Sequence, residues 1–147
     1  MKCNNLVTLK KLINQKIKNE KYRLFYLENN NSNSYVIIKK IIEIFIKNGK
    51  LNSINSNKYI ELKIEDNFNF VVLDEIIEYA ADFTNYYDGV LLIDITRFTN
   101  KNNNMNILLD LIEYHVKYVS MIVIFSNLDF YEFFFEKFKI QKIEIEW

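Results

Sequence analysis

Four apolar residues, Val90 to Ile93, run without a break into Asp94. A strand with one wet face alternates apolar and polar positions, so an unbroken run needs cover on both faces. Strands of that kind belong to parallel sheets flanked by helices. A carboxylate at the end of such a run is carried to the C-terminal edge of the sheet, where open α/β sheets bind their ligands.

The rest of the chain repeats the pattern. Helical spacing of Leu6, Leu9, Ile13 and Ile17 predicts a helix over about residues 5–18. A strand follows at Tyr22–Leu27, then a helix that Ser34 caps and that runs to about Ile46 with Ile37, Ile38, Ile41 and Phe45 in one stripe. Next come a strand at Tyr59–Ile64, a helix with Leu73, Ile76, Ile77 and Ala80 inward, and the strand Gly89–Asp94. A helix over about 104–117 buries Met105, Leu108, Leu109, Ile112 and Val116. The strand Val119–Ser126, a short helix from Leu128 to Phe138 and a last strand, Ile140–Glu146, complete the order. The alternation predicts an α/β three-layer sandwich with a five-stranded, mostly parallel sheet, forming one domain over residues 1–147.

With 50% apolar and 16% aromatic residues, disorder is excluded for the chain as a whole. No apolar run reaches the roughly 18 residues that cross a bilayer. The start, Met1-Lys-Cys-Asn-Asn5, lacks the apolar segment of a signal peptide, and a lone Cys3 offers no disulfide framework. A reducing, cytoplasmic setting is expected, with Cys3 an incidental thiol near a frayed terminus. Net charge is zero but unevenly placed. Residues 1–23 hold seven Lys/Arg against Glu20, and residues 24–147 hold twelve against eighteen acids. Proline is absent and only Gly49 and Gly89 occur, so asparagine takes the turns, as in Asn100-Lys-Asn-Asn-Asn104.

The window Glu28-Asn-Asn-Asn-Ser-Asn-Ser-Tyr35 lies between a strand and a helix, where P-loop nucleotide hydrolases place their phosphate loop. Such a loop needs glycines, so that amides wrap the anion, and a lysine that neutralises phosphate charge. Here Asn31 and Asn33 stand in a window without glycine, Ser34 falls where lysine belongs, and Tyr35 where the Mg²⁺-binding hydroxyl belongs. Glu28 adds a carboxylate that repels phosphate, and Lys39 and Lys40 lie further along the helix and point elsewhere. Helix amides leave weak anion binding open. Asp94 would hold metal only if nucleotide binds; otherwise it caps the next turn, with Arg97 as its ion-pair partner. Ile95 cannot polarise water. Asn127 is either a γ-phosphate sensor or the N-cap of a helix starting at Leu128. His115, the sole histidine, has no metal-ligand companions and is expected on an exposed helix face. In Asp129–Phe138, Phe130, Phe133, Phe134 and Phe138 are expected to fill a core stripe, leaving Tyr131 and Phe135 outward as candidates for partner contact.

From about residue 5 onward the order of elements resembles the base subdomain of AAA+ ATPases, most of all the bacterial replication-initiator branch with its initiator, inactivator and helicase loaders. Asp88-Gly-Val-Leu-Leu-Ile-Asp-Ile-Thr-Arg-Phe98 is similar to that branch's Walker B run, with Asp94 at the first acid and Ile95 departing from the second. Met121-Ile-Val-Ile-Phe-Ser-Asn127 is similar to the strand that ends in the sensor-1 residue, and the arginine-finger region falls near Lys137-Phe138 without an arginine. The helical lid that follows in the family is not found in these residues.

The resemblance implies a vestigial nucleotide site. The leading expectation is a catalytically inactive regulatory module, with no cofactor and no metal, that binds a protein: another AAA+ subunit or a replication component, with homo-oligomers possible and no membrane contact. A different class is a nucleic-acid accessory protein, binding weakly through Lys10, Lys11, Lys16, Lys18, Lys21 and Arg23. A weak nucleotide-binding ATPase is a further alternative. A receiver-like phosphoacceptor on Asp94 ranks last, since only Glu28 follows the first strand.

Overall fold

The structure, a computed structural model, describes residues 2–19, 24–28, 36, 39–40, 59–71, 75, 90–116, 121–127 and 129–145. In chain order these hold β1 (Lys2–Cys3), α1 (Leu6–Asn19), β2 (Leu24–Glu28), β3 (Tyr59–Lys63), β4 (Val90–Asp94), α2 (Met105–Val116), β5 (Met121–Ser126), α3 (Tyr131–Phe138) and β6 (Lys142–Ile145). Val36, Lys39 and Lys40 are also helical, as are Phe70, Val71 and Glu75. The rest of the helices expected after β2 and β3, including Leu73, Ile76, Ile77 and Ala80, lies outside the described residues.

Six strands form one sheet in the order β1-β6-β2-β5-β4-β3, and every pairing is parallel. The sixth strand corrects the expected five. β1 is two residues long and pairs with β6 through Lys2↔Glu144 and Cys3↔Ile145, so its existence depends on the far end of the chain and on no local pattern. Cys3 is consequently buried in the core instead of frayed, and burial pushes its thiol above the ordinary range.

The apolar runs are covered on both sides. On one face α1 lays Leu9 and Ile13 over Phe25, Leu27, Leu92, Val123, Phe125 and Ile143. On the other, α2 and α3 bring Leu108, Ile112 and Phe134 onto Leu24, Tyr26, Leu91, Ile93, Ile122 and Ile124. The connection β1→β2 carries α1 towards the β3 end of the sheet, while β4→β5 and β5→β6 carry α2 and α3 the other way. Opposite directions on opposite faces preserve one hand, as the near-universal right-handed crossover requires.

Local chemistry fixes the helix ends. Asn5 Oδ1 accepts from Thr8 N at 2.9 Å and caps α1. Asn100 and Asn103 take left-handed backbone in the asparagine loop, and Asn100 Oδ1 accepts from Met105 N at 3.0 Å at the start of α2. At the end of α3, Lys139 is left-handed and its N–H donates to Phe135 O. Among the described residues, no helix is long and apolar enough to cross a membrane.

Candidate functional site

The chain leaves β2 towards β3 and leaves β5 towards β6, so these two neighbouring strands diverge in their connections. That makes their C-terminal ends the switch point where open α/β sheets form a crevice. Glu28 ends β2 and Ser126 ends β5, paired in register, while Asp94 ends β4 opposite Phe125.

Strand alternation separates the two carboxylates. Glu28 follows Tyr26 and faces α2 and α3; Asp94 follows Leu92 and faces the α1 side. They lie on opposite faces with β5 between them. No single ligand atom is positioned to bridge both.

Glu28 sits among charges and rings. Lys142 Nζ lies 3.8 Å from its Oε2 and 3.2 Å from Glu144 Oε1, and 5.4 Å above the Tyr131 ring. Among the described residues, Glu28 Oε2 is buried and accepts no hydrogen bond. Burial raises the Glu28 carboxyl above its ordinary value; Lys142 opposes this and Asp129 and Glu144 add to it. The two partners shift in ways that look discordant, since Lys142 is also raised. For Lys142, burial lowers the value, but the hydrogen bond with Glu144 and the surrounding acids prevail. Glu144, hydrogen-bonded to Lys142, is lowered. At 3.8 Å without a hydrogen bond, the ammonium serves Glu144 better than Glu28.

Beneath this cluster Tyr26 is fully buried, its ring 4.9 Å from Phe134 and 5.8 Å from Tyr131. Burial pushes the Tyr26 hydroxyl up to about 12, against the opposing hydrogen bonds with Ser126 and the Phe130 backbone. Tyr131 is held in turn, its hydroxyl donating to Ile140 O at 2.8 Å.

Asp94 is engaged locally. Its Oδ1 accepts from Thr96 N at 2.9 Å and from Thr96 Oγ1 at 2.6 Å, closing the turn after β4. The backbone continues the tie, with Ile64 N donating to Asp94 O and Ile95 N to Phe125 O, both at 2.9 Å. Ile95 points to the other face and is fully buried beneath α2 with Phe98, Met105 and Phe134. A carboxylate placed there would lose its hydration without a partner.

Arg97 does not pair with Asp94, contrary to expectation. Its Nη1 reaches Glu65 Oε1 at 3.5 Å, because the turn closed by Thr96 sends the chain towards the loop after β3. That loop supplies a further carboxylate, Asp66, that is not among the expected site residues. Asp66 Oδ1 accepts from Thr99 N at 2.9 Å and Oδ2 from Thr99 Oγ1 at 2.7 Å, while Asn102 Nδ2 donates to Asp66 O. The Asp66-Asn67 pair is a turn signal that pointed to such a role. Desolvation would raise the Asp66 carboxyl, but the Thr99 hydrogen bonds hold it low.

Several expected positions fall elsewhere. Asn31, Asn33, Ser34 and Tyr35 lie outside the described residues. Lys39 pairs with Glu61 on β3, away from the strand ends. Asn127 is exposed in a bend and is no N-cap: α3 begins at Tyr131 after Phe130, with no side-chain cap. His115 is buried, not exposed, because it lies four residues after Leu111 and three after Ile112 on the core stripe of α2. In α3 the buried stripe runs through Phe130, Tyr131, Phe134 and Phe138, and the exposed rings are Phe133 and Phe135. The stripe is rotated by one position from the expected set, so Tyr131 exchanges places with Phe133. Of the basic candidates, Lys11 is exposed on α1; Lys10, Lys16 and Lys18 belong to the same helix, with side chains outside the described set. Among the described residues, no group of three or more His, Cys, Asp or Glu is placed to hold a metal ion. No protein-family model and no curated protein sequence matches this chain.

Proposed function

We propose that this chain keeps the framework of a nucleotide hydrolase without its chemistry and acts by binding another protein. The observation that carries the reading is the surroundings of Asp94 and Ile95. A hydrolase of this layout needs one acid for the metal and a base to activate water. In this chain Oδ1 of the first acid serves Thr96, and the next side chain is a buried isoleucine.

The end of β2 supports the same reading. A phosphate approaching the switch point meets the carboxylate of Glu28, and the nearby cation, Lys142, is already engaged by Glu144. The resemblance to the replication-initiator branch then suggests a cytoplasmic regulator whose partner is a related subunit or a replication component.

Titration of the protein with ATP·Mg²⁺ in a calorimeter, with phosphate release followed in parallel, tests this. Expected are no saturable heat at concentrations up to about 1 mM, where a complex is worth only about 4 kcal/mol, and no turnover. Micromolar binding accompanied by phosphate release overturns the reading.

A further inference from the structure

Helix α2 is apolar on more than one side. Met105, Leu108, Leu109 and Ile112 face the sheet, as a surface helix requires. A second stripe, Ile107, Leu111 and Tyr114, repeats at i, i+4 and i+7 and lies along a groove. Phe70 and Val71 form the other wall of this open groove of about 600 Å³. Val71 is 70% exposed, and Ile107 and Tyr114 are each 53% exposed. Three of the large exposed apolar side chains thus line one concavity, where scattered positions need no explanation but a contiguous patch does.

The charge around it is negative in excess. Glu75 and Asp110 are the charged lining residues among those described. Asp110 and Glu113 converge on the one ammonium of Lys137, at 2.8 and 3.7 Å, so an excess of negative charge remains. Among the described residues that line the groove, none is a lysine or arginine. A field of that kind selects a cationic ligand and hastens its encounter.

We propose that this groove docks a basic amphipathic helix of a partner protein. The stripe from Ile107 to Tyr114 spans about 10 Å of helix axis, the length over which an i, i+3/i+4, i+7 set of apolar anchors meets a groove. Lysines or arginines flanking those anchors meet Glu75, Asp110 and Glu113. The α1 helix of a second copy fits poorly: its apolar residues Leu9 and Ile13 are already buried, and its described exposed positions are Val7, Lys11 and Gln15. The inference takes its protein occupant from the proposed function but nothing from the strand ends, so nucleotide titration and the groove experiment fail separately.

The probe is a labelled synthetic leucine–lysine peptide of about five helical turns, its leucines on one face, followed by fluorescence anisotropy. Saturable binding is expected, weakened about tenfold by Ile107→Ser or Tyr114→Ser and weakened also by Glu75→Lys. Val7→Ser, equally superficial but on α1 at the opposite face of the sheet, is expected to bind within about twofold of the parent. A leucine–glutamate peptide, and a leucine–lysine peptide with scrambled periodicity, should both bind much more weakly. Binding that survives all three groove variants, or that does not distinguish the peptides, overturns the proposal. So does sedimentation that shows a dimer dispersed by Ile107→Ser, since the occupant is then a second copy. Glu75→Lys leaves the apolar walls intact and decides the matter if a serine variant misfolds.

Discussion

Glu28 and Asp94 end two parallel strands at the same edge of one sheet, and the protein handles their charges differently. Asp94 turns back on its own chain, where Thr96 supplies two donors within two residues. Glu28 has no such local help; its charge is balanced across the sheet by Lys142 on β6, at 3.8 Å and shared with Glu144. A carboxylate satisfied by a turn is cheap to keep and indifferent to distant changes. One that faces only a remote, shared ion depends on the whole edge of the sheet, and burial raises its carboxyl although Lys142 opposes the rise.

The contrast is sharpest if the remote ion is removed. Lys142→Met should destabilise the protein by about 2–3 kcal/mol, less than for a fully buried pair because Lys142 is partly solvated. Adding Glu28→Gln should recover most of that loss in urea unfolding; no recovery breaks the link between the two residues. Asp94→Ala comes next, at about 1–2 kcal/mol for the lost turn bonds, while Asp94→Asn keeps an acceptor and should cost about 0.5 kcal/mol. Equal losses for the two variants would show that charge, not the Thr96 bonds, matters at that position.

A smaller effect distinguishes the two by pH. Because the folded carboxyl of Glu28 is raised from its ordinary 4.5, its contribution favours the folded state at low pH. That contribution is lost as pH rises from 4.5 through the raised value and is level beyond it. Glu28→Gln should therefore gain on the parent protein as pH rises through this window. A difference that is flat with pH contradicts the desolvated state of Glu28. Smallest of all, Arg97→Ala should change stability by less than about 0.5 kcal/mol, since the Arg97–Glu65 pair is solvent-exposed.

How much of this was legible in the sequence follows from where the controlling contacts lie. β4 and β5 declared themselves as unbroken apolar runs, and the stripe of α2 by its spacing, because burial on two faces or one leaves a direct pattern. The asparagine loop was readable too, since left-handed backbone has few alternatives without glycine. β1 was not, because two residues carry no period and their partner lies at the other end of the chain. The exchange of Tyr131 with Phe133 turns on a rotation of about 100° per residue, finer than so aromatic a segment can specify, whereas the burial of His115 was legible in its spacing from Leu111 and Ile112. At the site, the types of Glu28, Asp94 and Ile95 were plain, but the opposite faces of Glu28 and Asp94 and the Lys142 tie came from strand order and pairing registers. Asp94 is the acid nearest Arg97 in sequence, but the turn carries Arg97 to Glu65.

The central claim is that the strand ends at this edge serve the fold and not a nucleotide. Its most direct test is the unfolding free energy measured with and without about 5 mM ATP·Mg²⁺, because any ligand of the folded state adds stability in proportion to the logarithm of its excess over Kd. The account predicts no change beyond the effect of an equal concentration of inorganic salt. A nucleotide-specific gain of about 2.7 kcal/mol or more, the increment for a ligand at about a hundred times its Kd, would contradict it.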